Sequence, residues 1–138
     1  MTALQRAAVK TAEAPQPVGL YSQAMRVQAR ELMFIAGQIA LDTEGKLVGK
    51  GNAGAQTRQI YKNIGAILQS VGASFSNVVE FTTYVVGKEA LQAFMQARTE
   101  IFPNLYPNGD YPPNTLLVVS ALVREEYLVE IKAVVALP

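Results

Sequence analysis

Pro112-Pro113-Asn114-Thr115-Leu116-Leu117-Val118-Val119-Ser120-Ala121-Leu122 opens on a rigid turn and continues as a run that is apolar on both sides. Successive side chains of an extended chain point to opposite faces. Leu117, Val119 and Ala121 therefore point one way, and Leu116, Val118 and Leu122 the other. Such a strand needs cover on both faces. The last strand, expected over 127–136, repeats the pattern with one difference. Tyr127, Val129, Ile131, Ala133 and Val135 form an uninterrupted apolar side, while Leu128, Glu130, Lys132 and Val134 share the other. Glu130 is thus a carboxylate set among apolar strands.

Working outward, Ile60, Ile64, Ile67, Leu68 and Val71 recur at spacings of three and four behind a candidate cap at Asn52, and Gly72 ends the helix they predict. A strand rich in β-branched and aromatic residues is expected from Val78 to Val86. Leu91, Phe94, Met95, Ile101 and Phe102 describe a second amphipathic helix, which Pro103 is expected to stop. Nearer the N-terminus, two apolar runs at 24–27 and 32–36 flank Gln28-Ala29-Arg30 and predict a hairpin. Residues 1–17 lack steady periodicity and read as an N-terminal arm. The order is ββαβαββ, an α+β class, in a single domain spanning 1–138, with a mixed sheet and both helices on one face. Two helices cover only one sheet face, so the second apolar face predicts a homo-oligomer packed sheet against sheet.

Composition points the same way. Half of the 138 residues are apolar and 17% are charged, against about 25% charged in ordinary soluble domains. Net charge is +1 with no basic stripe, which argues against nucleic acid as a partner, since phosphate-backbone binding needs several cations acting together. No segment has the continuous apolar length of a signal or membrane span. The chain has no cysteine and no histidine. A cysteine nucleophile, a Ser-His pair, a Cys/His metal site and an imidazole base are therefore excluded within it. No metal and no cofactor are expected, and the absence of cysteine fits a reducing cytoplasm.

Carboxylates, tyrosines, lysines and bound water remain. Glu130 is the leading acid/base candidate, because a half-buried carboxylate gains proton affinity; the plainer reading is a paired or solvated strand residue. Tyr21, after the bend at Gly19, either faces a cleft or closes a core edge. Asn114, presented by two prolines, either orients a ligand or satisfies a backbone group. The glycine-rich Gly49-Lys50-Gly51-Asn52-Ala53-Gly54 does not have the phosphate-loop spacing and reads as a loop and cap. Glu125-Glu126 reads as a solvated turn, because neighbouring side chains there diverge.

Four segments, in order, then resemble one family. Gly19-Leu20-Tyr21-Ser22-Gln23-Ala24, Ala36-Gly37-Gln38-Ile39, Ala55-Gln56-Thr57-Arg58-Gln59 with Asn63, and Leu128-Val129-Glu130-Ile131 look like the RidA/YjgF (Rid) family over nearly the whole chain. The resemblance implies a chorismate-mutase-like fold, a homotrimer whose sheets form a central barrel, and clefts between subunits that bind a small metabolite. It implies a cytoplasmic protein of a kind whose best-known members hydrolyse enamines and imines such as 2-aminoacrylate to a ketoacid and ammonia. Some members carry translation-inhibitor or endoribonuclease names. The resemblance makes Glu130 the water-activating glutamate, Tyr21 a ligand-orienting tyrosine, and Ala36-Gly37 the segment where a serine often precedes the glycine. Asn114 falls where those members carry a substrate-gripping arginine, which places this chain in a subgroup lacking it. Asparagine offers neutral and weaker bonds than a guanidinium. A non-catalytic ligand-sensing or protein-binding trimer is therefore the alternative expectation.

Overall fold

The computed structural model describes residues 4–138. Six strands and two helices follow one another as β1 (Gln5–Val9), β2 (Ala24–Gln28), β3 (Glu31–Gln38), α1 (Ala53–Ser70), β4 (Val78–Val86), α2 (Gly87–Leu105), β5 (Asn114–Val119) and β6 (Val129–Leu137). A single 3-10 turn at Phe75–Asn77 leads into β4. The main sheet has the order β3-β6-β4-β5, with only β4 and β5 parallel. That one parallel pair requires a crossover, which α2 provides.

The first helix forms where its sequence signals lie. Asn52 is extended at φ −131° and its Oδ1 accepts the Ala55 N–H at 2.9 Å. Ile60, Ile64 and Leu68 are fully buried on the face turned to the sheet. At the other end Gly72 adopts φ +72°, and the Ala73 N–H reaches back to the Leu68 carbonyl at 2.9 Å. A left-handed residue at this point favours glycine, which has no Cβ to clash.

The helices cover one sheet face. Phe81, Thr83 and Val85 of β4 and Val129, Ile131, Ala133 and Val135 of β6 are buried beneath them. Aromatic rings from three elements meet at its lower end, where Phe102 lies 5.5 Å from Tyr61, 6.0 Å from Phe81 and 5.3 Å from Tyr106. The opposite face has no second layer over much of its area. Leu32 and Phe34 are 58% and 73% exposed there, with Leu117 of β5 on the same side.

Three sequence expectations change. The stretch read as lacking an element contains β1, so the strand order gains a member at its start. The expected hairpin between residues 24–27 and 32–36 does not form. β2 pairs instead with β1, from Gln5↔Gln28 to Val9↔Ala24, in a separate two-stranded ribbon. The tightest hairpin turns need a residue at positive φ. Ala29 and Arg30, which join β2 to β3, provide none. The ribbon is fastened by Arg6, whose Nε donates to the Val78 carbonyl at 2.9 Å and Nη2 to the Asp110 carbonyl at 3.0 Å. Finally, α2 starts at Gly87 and runs through Pro103. In the last turn a missing N–H removes only one bond, and the Tyr106 N–H still closes onto the Phe102 carbonyl at 2.8 Å.

Candidate active site

Glu130 lies on the uncovered face of β6, directly across the ladder from Tyr84 of β4. On its other side β3 loses register between Ile35 and Gln38. This irregularity brings Gly37 against the carboxylate. A Cβ built on Gly37 would overlap Glu130 Oε2 and stand 2.9 Å from its Cδ. Gly37 does not have positive φ, so the reason for glycine here is space and not backbone conformation. Glu130, Gly37, Tyr84 and Lys132 line a concavity of about 480 Å³ together with Val119 and Leu122.

The other residues singled out from sequence lie elsewhere in the single chain. Asn114 pairs with Phe81 in the parallel register, and its Oδ1 accepts the Thr83 hydroxyl at 2.9 Å. Thr83 is fully buried, whereas Tyr84, the next residue, shares the uncovered face with Glu130. Asn114 is therefore on the helix side of the sheet. Tyr21 is half-buried, and its hydroxyl accepts the Val18 N–H at 3.3 Å. Ala36, beside Gly37, is exposed and its carbonyl accepts from Gln38 Nε2 at 3.0 Å. One chain thus brings Glu130 and Gly37 together, while Tyr21 and Asn114 are outside their concavity.

Among the arginines, Arg98 is the buried one, at 6% exposure. Its guanidinium lies 5.2 Å from the Phe94 ring, under the Gly19 bend. Nε and Nη1 have no partner among the described residues. Desolvation lowers its pKa, against opposing contributions from Tyr61 and Tyr21. It does not line the Glu130 concavity. Tyr84 and Lys132 do, and neither was singled out from sequence. Alternation along β6 placed Lys132 on the Glu130 side, but nothing local announces the β4–β6 register that adds Tyr84.

A family model described as Endoribonuclease L-PSP matches residues 11–137. The chain belongs to the Rid (RidA/YjgF) family. It is 35% identical over 131 residues to a RutC family protein of Synechocystis sp., covering 94% of this chain and 95% of that relative. It is 32% identical to the 2-iminobutanoate/2-iminopropanoate deaminase of Mus musculus, with 97% and 93% covered. Among solved structures it superposes on YyfB of Yersinia pestis, a Rid-family protein of unknown function, with a TM-score of 0.85. That pair is 30% identical, with 96% and 98% of the two chains covered.

In this Rid chain the motif around α1 has a structural purpose that supports the site. Gln56 is fully buried. Its Nε2 donates to the carbonyls of Gly49 at 3.1 Å and Glu126 at 3.0 Å, and its Oε1 accepts the Leu128 N–H at 2.9 Å. This side chain fixes the approach to β6 just before Glu130. Asn63 does the same for the segment after Gly37, donating to the Leu41 carbonyl at 2.8 Å. Gln56→Leu is expected to destabilise the fold by about 3 kcal/mol in chemical denaturation, because unmatched buried backbone groups cost about 1–3 kcal/mol each. A loss below about 1 kcal/mol would show that water takes over these bonds. No helix among the described residues is long and apolar enough to cross a membrane.

Proposed function

We propose that this Rid-family chain works as a cytoplasmic homotrimer that binds a small metabolite in clefts between subunits and hydrolyses an imine. The observation that carries this reading is the Gly37–Glu130 contact, in which a side chain-free residue leaves room for a carboxylate on the uncovered sheet face. The exposed Leu32, Phe34 and Leu117 support the trimer, since large apolar residues on an uncovered sheet face need a partner. The name of the mouse relative supports the reaction class.

In this reading Glu130 accepts a proton from water as the water oxygen bonds to the imine carbon. The resulting carbinolamine then breaks its C–N bond. The proton taken from water returns to the nitrogen and the carbinolamine's hydroxyl proton follows it through Glu130, so the nitrogen leaves as ammonia and the carbon becomes a carbonyl. An enamine substrate enters after tautomerising to its imine. Tyr21 and Asn114 are assigned to the cleft as it is completed by a neighbouring subunit. Ala36 contributes backbone only, having no hydroxyl.

The test is ammonia release from freshly generated 2-aminoacrylate. Glu130→Gln, which keeps size and removes the base, is expected to lower turnover about a hundredfold or more, in the range that general-base catalysis supplies. Turnover by Glu130→Gln within threefold of wild type would rule Glu130 out as the base. A non-catalytic ligand-binding trimer is the second reading. It is favoured by Asn114, whose oxygen is committed to Thr83 and which carries no charge to hold a carboxylate. That reading predicts no turnover by wild type and unchanged ligand affinity in Glu130→Gln. An RNA-acting role is not favoured by the net charge of +1.

A further inference from the structure

We propose that Arg98 is the centre of a second binding site, for a small monoanion such as nitrate, entered at the Gly19 bend. The site does not depend on the hydrolysis reading, because Arg98 does not line the Glu130 concavity. Arg98 stands on the buried row of α2 with Phe94, Ala97 and Phe102, and is 6% exposed. A guanidinium stays protonated in proteins, so this is a permanent charge taken out of water. No carboxylate neutralises it, since the ion pairs among the described residues are Lys46–Glu44 and Arg58–Glu100. The groups that oppose its desolvation are two phenols, Tyr61 and Tyr21. The Phe94 ring at 5.2 Å holds the group in place, but a ring face is a weaker partner than an opposite charge. A buried charge without its counter-charge is strongly destabilising. The missing charge has to come from outside the chain.

Access is confined to one nitrogen. Nε and Nη1 are sealed from solvent without a hydrogen-bond partner, whereas Nη2 is not sealed. Nη2 lies under Gly19, where a built Cβ would stand 3.1 Å from it and 3.8 Å from Cδ1 and Cε1 of Tyr21. Gly19 does not have positive φ, so what the glycine provides is open space over Nη2. The guanidinium charge is delocalised, and an anion resting on Nη2 therefore offsets the charge on the sealed nitrogens as well. The Gly19 backbone and the Tyr21 ring border the opening, so a small anion fits and a bulky one does not.

The intact protein would be melted in sodium nitrate and, at equal ionic strength, in sodium morpholinoethanesulfonate, whose anion is too large to enter. Nitrate is expected to raise the wild-type melting temperature saturably, by about 4–5 °C at roughly ten times its dissociation constant. Arg98→Met keeps the bulk of the stem and removes the charge. It should melt above wild type in the sulfonate and show no saturable response to nitrate. Gly19→Ala, which places a methyl group over Nη2, should raise the nitrate concentration needed for half the effect by about threefold or more. The site is overturned if nitrate and the sulfonate give wild type the same melting temperature, or if Arg98→Met keeps the nitrate response. An unchanged nitrate dependence in Gly19→Ala overturns it equally. So does an Arg98→Met protein that melts below wild type in the sulfonate or fails to fold, because the guanidinium is then already satisfied within the protein or by a carboxylate of a second copy.

Discussion

Gly37→Ala is expected to lower imine-hydrolysing turnover about a hundredfold while the protein melts within a few degrees of wild type. The backbone at Gly37 does not have positive φ, so alanine is tolerated locally. What the new methyl group meets is the Glu130 carboxylate, with its Cδ only 2.9 Å away. A carboxylate at the end of a flexible side chain can turn aside at small cost in stability, but it then leaves the position from which the proposed mechanism has it activate water. Displacing a catalytic group by about 1 Å costs on the order of a hundredfold in rate. The loss should appear mainly in kcat. Turnover within threefold of wild type would mean that the carboxylate's present position is not the one that matters.

Phe102→Ala is expected to be the most damaging single change to the fold, at about 3–5 kcal/mol. Phe102 is 1% exposed and packs among Tyr61, Phe81 and Tyr106, with Tyr111 stacked at 5.8 Å. Removing the ring opens a cavity where α1, α2 and β4 converge and forfeits ring contacts worth about 0.5–1.5 kcal/mol each. Burial pushes the Tyr61 and Tyr106 phenols above their ordinary range, so both rings are neutral members of this core. A fall in melting temperature of about 10–15 °C at fixed protein concentration is the expected reading. A fall below about 4 °C would show that neighbouring rings collapse into the space. Because the cluster is remote from Glu130, the folded fraction should retain its turnover.

How far the sequence could be read depends on how local each signal is. The ends of α1 were legible because Asn52 and Gly72 act within a few residues of themselves. Val78 to Val86 was legible because alternation along one strand needs no knowledge of its neighbours. The pairing of β2 was not, since its partner β1 lies across a long intervening loop and the nearer candidate, β3, is lost to a link without a suitable turn residue. The same limit applies at the candidate site. Glu130 stood out by alternation along its strand and Gly37 through resemblance, but their contact comes from a register shift in β3. Asn114 was noticed for its rigid approach, and its partner Thr83 follows only from the parallel β4–β5 register. Tyr84 stayed unremarked because it is ordinary on its own strand and meaningful only when β4 is laid beside β6.

With β2 drawn into the ribbon, β3 is left as an outer strand of the main sheet, carrying the exposed Leu32 and Phe34. Open strand edges invite foreign strands to add on, and apolar ones lead to aggregation. Here the flat stretch runs only from Glu31 to Ile35 before the ladder breaks on the way to Gln38. That is shorter than the six or seven residues about which cross-β stacks are usually built. Arg30 and Glu31 put charge at the other end. The irregularity that fits Gly37 against Glu130 therefore also keeps the edge too short to act as a template, so straightening it would cost solubility as well as the site.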